Sequence, residues 1–446
     1  EPLMSLDSRH REILASRKID HVVVLGANGA MGYGSGALFT RVVPKVTFLA
    51  RSREKAEQGL QAAMQAVRSP TVANRVQTGS YEADFDRAVA SADLIFEALA
   101  EDFGVKRQIF ERIDKVRRVD SIVATVTSGL SINKLADGRS PSFRQHFLGL
   151  HFFNPPNVIV GTELIAGEET DPQLVDFVDV YATKKLGRMI TRTADKPGFA
   201  GNRVGFKVLN EVAQLAEEFG PVLADRIVGP FTGRAMAPLA TIDLVGWDVH
   251  RAIVDNIHDN APDEVRATLK LPEYMRRLIE QGTLGAKSGG GFFKTENNES
   301  FVLEPQSGAY VPVKSVKLPK LDFIREIAAL HHVGLYRDAM KAFVTARGLE
   351  AELSRKVIAG YVSYAFHRVG EVTQSIDGID SIMAFGFNWA PPGVLVDMIG
   401  LRPMIAMIEK ARLPVPRVLS DALASGKAQR FFSNRSVNVG RFFIAA

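Results

Sequence analysis

The chain has no cysteine, so disulfides, thiolate nucleophiles and cysteine-based metal sites are excluded. No apolar run is long enough to span a bilayer. The opening stretch, EPLMSLDSRHREILASRKID, is too charged for a signal peptide. Charge of one sign is not concentrated either. Its 55 Lys and Arg are scattered among 50 Asp and Glu, leaving a net charge of +5. That scatter argues against a nucleic-acid partner, while the mild positive excess suits an anionic small ligand. These absences point to a cytoplasmic protein with no membrane or nucleic-acid partner. Glu1 is not an initiator, which points to a fragment or a processed chain.

What remains is an ordinary globular composition, 46% hydrophobic and 24% charged, as in soluble enzymes. At 446 residues the chain exceeds a single core, so two or three domains are expected. From Ile19 to Lys196, short apolar runs alternate with amphipathic stretches. HVVVLG (21–26), KVTFLA (45–50), ADLIFEAL (92–99), SIVATVT (121–127) and FLGLHFF (147–153) read as strands. REKAEQGLQAAMQAV (53–67) and EDFGVKRQIFERIDKV (101–116) have helical spacing. This rhythm predicts a parallel sheet covered by helices. Beyond Pro197 longer helical stretches take over, interrupted by a polar stretch at 295–320 that reads as a linker.

The helical part repeats itself. APLATIDLVGWD (237–248) is echoed by PPGVLVDMIGLR (391–402), with Pro238, Asp243 and Gly246 spaced as Pro392, Asp397 and Gly400. Asp225 lies 13 residues before Pro238 and Asp380 lies 12 before Pro392. The expected organisation is therefore an extension at 1–18, an α/β domain at 19–196, a helical domain at 197–294, the linker, and a repeat of the helical domain at 321–446. The repeat is expected to pack on the first copy as an internal pseudo-dimer, with Phe387 and Trp389 as anchors, giving a monomer. An independent domain on the linker is the alternative.

The first strand runs into glycines at Gly26, Gly29 and Gly32. Glycines there let the backbone approach a pyrophosphate at a helix N-terminus. The first spacing is one residue longer than the common Gly-x-Gly-x-x-Gly fingerprint. A ligand-free turn is the bland reading, but the position after the first strand favours a nucleotide. The second strand ends in Ala50, Arg51, Ser52 and Arg53, where NAD sites place a carboxylate for the ribose. Arginine and serine suit a 2′-phosphate, so NADP stands open beside NAD unless these are solvated loop residues.

HFFNPPNVIVGTELI (151–165) adds a His151–Glu163 pair across a turn containing proline. Oxidising a hydroxyl needs a base of near-neutral pKa. A carboxylate on the far imidazole nitrogen fixes its tautomer. A histidine beside Phe152 and Phe153 also fits a plain core residue.

His151-Phe152-Phe153-Asn154-Pro155 resembles the signature of the L-3-hydroxyacyl-CoA dehydrogenase family. Further segments match in order. EALAE (97–101) with Lys106 resembles the cofactor-contacting stretch, which implies that Glu101 and Lys106 lie near the nicotinamide ribose. TSGLSI (127–132) resembles the loop whose serine, here Ser128, bonds the substrate oxygen. DKPGFAGNRV (195–204) resembles the interdomain motif and makes Asn202 a second substrate contact. GAKSGGGFF (285–293) resembles the closing motif, with Lys287 reaching the cofactor. Asn154 completes the set assigned to the cofactor.

The resemblance implies an α/β dinucleotide-binding (Rossmann) domain followed by two all-α modules. It also implies reversible oxidation of a 3-hydroxyacyl-CoA to the 3-oxoacyl-CoA, with His151 as base and Glu163 orienting it. The chain departs from the family in its wider glycine turn, in the missing acid after the second strand, in Gly129 after Ser128 and in Val126. A non-catalytic CoA- or nucleotide-binding relative and a reductase of a small non-CoA hydroxy acid are the competing readings.

Overall fold

The run HVVVL forms β1 (His21–Leu25) and is buried along its whole length, as a strand must be when helices cover both faces of a parallel sheet. Val22 and Val24 enter one core with Val46, Phe48 and Phe96. Val23 and Leu25 enter another with Leu49, Ile95 and Val123. The computed structural model describes residues 7–427, 429–434 and 437–443. It places β1 in a sheet with β2 (Lys45–Ala50), β3 (Val76–Ser80), β4 (Leu94–Glu97), β5 (Ile122–Thr125), β6 (Phe147–Phe152), β7 (Gly161–Ala166) and β8 (Met189–Thr193). The strand order is β3-β2-β1-β4-β5-β6-β7-β8.

β1 to β6 are mutually parallel. The order reverses between β1 and β4, the crevice where doubly wound sheets take ligands. β7 runs antiparallel to β6, because the short connection at 153–160 carries Pro155 and Pro156 and has no crossover helix. β8 then pairs parallel to β7 after the helix Pro172–Lys184. At the N-terminus, Asp7 caps a helix, Ser8–Ala15, through its bond from the His10 amide.

The division between two compact units falls between Phe199 and Ala200, slightly beyond the expected Lys196. The second unit contains both helical modules. Its long helices Gly201–Phe219 and Leu349–His367 are each 19 residues and pack on one another. Buried Arg203, on the first, bonds Tyr364 Oη at 2.7 Å and Glu371 at 2.8 Å on the second module. Phe206 meets the Phe387 ring at 6.4 Å. Trp389 lies under the Arg234 guanidinium at 4.2 Å. The second module is therefore packed on the first and is no independent domain.

The repeat holds at the level of hydrogen bonds. Asp225 accepts from the Leu239 amide at 2.7 Å, and Asp380 accepts from Gly393 at 3.0 Å. Asp243 accepts from the amides of Phe292 and Phe293, and Asp397 accepts from those of Phe431 and Phe432. The two loops pair with each other. The Ala390 amide donates to Gly233, the Ala235 amide donates to Asn388, and Arg234 stands opposite Trp389.

One expectation is corrected. Much of the stretch read as an irregular linker, 295–320, lies in an antiparallel sheet of β9 (Phe293–Glu296), β10 (Glu299–Leu303) and β11 (Tyr310–Pro312). Asn297 and Asn298 both adopt positive φ, 49° and 62°, the backbone of a two-residue hairpin turn. No helix among the described residues is long and apolar enough to cross a membrane.

Candidate active site

The glycine turn caps the C-terminal end of β1. Gly26 has φ +76°, and a Cβ there would lie 2.3 Å from the Ala98 carbonyl oxygen. A Cβ on Gly32 would lie 2.1 Å from the Gly26 carbonyl oxygen. Both positions therefore need glycine. Gly29 is the N-cap of the helix Ala30–Phe39, in extended backbone. The wider spacing lengthens the turn and leaves the first-turn amides facing away from the helix, so the donor set fits a pyrophosphate. Tyr81 Oη accepts from the Gly26 amide at 2.8 Å, and burial pushes its pKa up to about 12.

At the end of β2, Ala50 is buried and Arg51 is exposed. Ser52 uses its hydroxyl to cap the helix Arg53–Val67. Arg53 reaches Asp84 at 3.3 Å. Arg51 is thus the outward cation of this corner, while Ser52 and Arg53 serve the helix and a surface pair.

At the ends of β4 and β5 the structure builds a charged cluster. Glu97 and Lys106 side chains are both 0% exposed and 2.7 Å apart. Lys106, expected near the nicotinamide ribose, has no exposed side-chain surface. Its ammonium bonds Glu97 and lies 3.6 Å from Glu101. Glu101 in turn accepts from Thr127 Oγ1 at 2.6 Å and from the Ser128 amide at 2.8 Å. The structure brings Glu101 and half-buried Ser128 together.

His151 and Glu163 face each other in the β6–β7 register. The His151 Nδ1 to Glu163 Oε2 distance is 2.7 Å, with the side chains 5% and 0% exposed. Phe153 and Phe199 rings stand 4.7 and 5.9 Å from the imidazole. The carboxylate takes Nδ1–H, which leaves Nε2 as the basic nitrogen. Asn154 lies two residues beyond the end of β6 and is exposed.

The remaining expected residues belong to the second unit. Asn202 is buried in the first turn of Gly201–Phe219. Lys287 pairs with Asp248 at 2.5 Å. Sequence reasoning missed three contributors: Glu97, Tyr81 and Asp195. Asp195 accepts from Ser131 Oγ and from the amides of Ile132 and Asn133, tying the segment after β8 to the end of the Ser128 loop. An aspartate opening the Pro-Gly-Phe stretch and a glutamate closing an apolar strand were the available signals.

Residues 21–196 match the family model described as 3-hydroxyacyl-CoA dehydrogenase, NAD binding domain. Residues 198–295 match 3-hydroxyacyl-CoA dehydrogenase, C-terminal domain. A probable 3-hydroxyacyl-CoA dehydrogenase of Bacillus subtilis is 30% identical over 79% of this chain, which spans 44% of that relative's length. A probable 3-hydroxyacyl-CoA dehydrogenase of Deinococcus radiodurans is 32% identical over 63% of this chain and 84% of its own. The crystal structure of 3-hydroxybutyryl-CoA dehydrogenase from Escherichia coli K12 shares the fold, with a TM-score of 0.69 and 21% identity over 92% of this chain and 100% of that one.

Proposed function

The chain belongs to the 3-hydroxyacyl-CoA dehydrogenase family, and from that premise we propose that it interconverts a 3-hydroxyacyl-CoA and a 3-oxoacyl-CoA. The buried His151–Glu163 pair carries this reading. A retired binding domain has no use for a histidine held in one tautomer by a buried carboxylate at the ligand-binding edge of the sheet.

A bound nicotinamide dinucleotide supplies the hydride acceptor. His151 Nε2 takes the proton of the substrate hydroxyl, and Glu163 holds Nδ1–H and stabilises the resulting imidazolium. Ser128 donates to the reacting oxygen, its backbone fixed by Glu101. One such donor aimed at a developing charge is worth about 2.7–4 kcal/mol. Asn202 is the second polar contact, and Lys287 and Asn154 hold the cofactor. In the reverse direction His151 returns the proton.

Cofactor choice follows from the β2 corner. β2 is followed by Arg51, Ser52 and Arg53 where NAD sites place an acid, and Arg51 is exposed, so NADPH is accepted alongside NADH. Nicotinamide absorbance with acetoacetyl-CoA, offering NADH and NADPH separately, tests both claims. Turnover is expected with each. Tight cofactor binding without turnover would return the protein to the non-catalytic class. Turnover only with a small non-CoA oxo acid would make it a reductase of another substrate.

A further inference from the structure

We propose that Glu97 is a positioning residue that sets the charge of the nicotinamide-facing edge, so that the protein binds the oxidised dinucleotide more tightly, relative to the reduced one, than it would with a neutral edge. This rests on the dehydrogenase reading above.

Glu97 ends β4 and stands level with Leu25 of β1 and Thr125 of β5. Its carboxylate is spent inside the protein. Oε1 accepts from Lys106 Nζ at 2.7 Å and from the Leu99 amide at 2.7 Å. Oε2 accepts from Thr125 Oγ1 at 2.5 Å. With no exposed surface, Glu97 touches neither substrate nor cofactor and acts only through its neighbours.

Those neighbours lead to the ligand edge by two routes. Lys106 lies 3.6 Å from Glu101, whose other oxygen holds Thr127 and the Ser128 amide. Thr125 Oγ1, while donating to Glu97, accepts from the Thr127 amide at 3.3 Å. Glu97 thus stands behind the Ser128 loop on both sides.

The charges do not cancel. Two carboxylates share one ammonium, which leaves one net negative charge. Lys106 sits closer to Glu97, 2.7 Å against 3.6 Å, so the uncompensated charge rests on Glu101, the outward member, whose side chain is 42% exposed. The oxidised nicotinamide ring carries a positive charge and the reduced ring carries none. A negative edge therefore favours the oxidised form. Because the pair behind it is buried, solvent screens this charge less than a surface one.

The test is the ratio of dissociation constants for NAD+ and NADH, measured on the full chain by fluorescence titration. A uniform loss of packing or of a hydrogen bond common to both forms leaves that ratio unmoved. Glu97→Gln neutralises the edge and should weaken NAD+ relative to NADH by about tenfold. Lys106→Met makes the edge doubly negative and should shift the ratio the other way. Glu97→Gln combined with Lys106→Met restores one negative charge and should return the ratio to about the parent value. The Lys106→Met and double-variant arms decide the matter if Glu97→Gln alone does not fold. An unchanged ratio in Glu97→Gln, or a ratio in Lys106→Met that stays put or moves the same way, overturns the proposal. Failure of the parent to bind either dinucleotide would instead overturn the reading on which it rests.

Discussion

Two buried histidines show how surroundings divide one residue type between chemistry and structure. His151 has a carboxylate at Nδ1 and so keeps a nitrogen for proton transfer. Glu163→Gln removes the charge that stabilises the imidazolium while keeping the shape. It should lower kcat by about 10²–10⁴-fold with cofactor binding retained, read by single-turnover kinetics beside a cofactor titration. An unchanged kcat would remove Glu163 from the stabilising role. His250 has the opposite environment. It is fully buried, its Nε2 meets Asn210 Oδ1 at 3.1 Å, and its Nδ1 has no partner. Asn210 spends its Nδ2 on Thr268 and Lys270 carbonyls, so Nε2 carries the proton and Nδ1 is bare. Burial pushes the His250 pKa down to about 3. The folded state thus refuses a proton that the unfolded chain takes near pH 6.5. Stability from this site is complete above pH 6.5 and falls toward pH 3, by at most about 1.4 kcal/mol per pH unit. His250→Gln should flatten that acid limb in urea titrations between pH 6.5 and 4. Asp225, pushed up to about 7 by burial, works with the opposite sign, so the single variant and not the parent profile is diagnostic.

Among the elements, the repeated aspartates do matching work. Asp397 accepts from the amides of Phe431 and Phe432 as Asp243 does from Phe292 and Phe293. Asp397→Ala leaves those donors unpaired and should cost about 1–3 kcal/mol, measured by denaturant unfolding. A loss below the error of the measurement would show that the second copy no longer needs its strap. The spacing Pro-x4-Asp-x2-Gly exposed this duplication in the sequence, because a helix start, a strap and a helix end each demand one residue type. Buried strands of the parallel sheet were equally legible from Val and Ile runs. β3 was not, since VQTGS has one valine and lies at the sheet edge, where less burial is required. The hairpin around Asn297 and Asn298 was hidden in polar composition, although paired asparagines at positive φ are themselves a turn signal. His151 and Glu163 were readable as a pair because only the short proline-containing turn separates their strands. The Glu97–Lys106 pair was not legible, because sequence alone does not reveal which carboxylate receives the ammonium.

For the whole molecule, we propose that the second module, packed on the first, takes the place a partner subunit would fill. Truncation after Lys320 would strip Tyr364 and Glu371 from Arg203 and Trp389 from Arg234, leaving two cations that fold buried in the intact unit. The shortened chain should aggregate or dimerise, with a melting temperature below the parent's. Light scattering and thermal melts decide it. A soluble, monomeric, equally heat-stable fragment would show that the packing of the two modules is dispensable.

The paired loops of the two modules carry a further consequence. Arg234 lies nine residues after Asp225, and Trp389 lies nine after Asp380. Counted from those aspartates they are counterparts, and they stand opposite each other where the two loops pair. An assembly of identical copies must set each axial residue against itself, here guanidinium against guanidinium in a dry interior. A tandem gene escapes that constraint. Burial lowers the Arg234 pKa to about 10, and its charge rests on an indole face that no self-paired arginine could have found. Once the copies share one chain, their contact becomes a heterologous match that mutation can refine on either side separately, and reverting to two identical subunits would reinstate the repulsion.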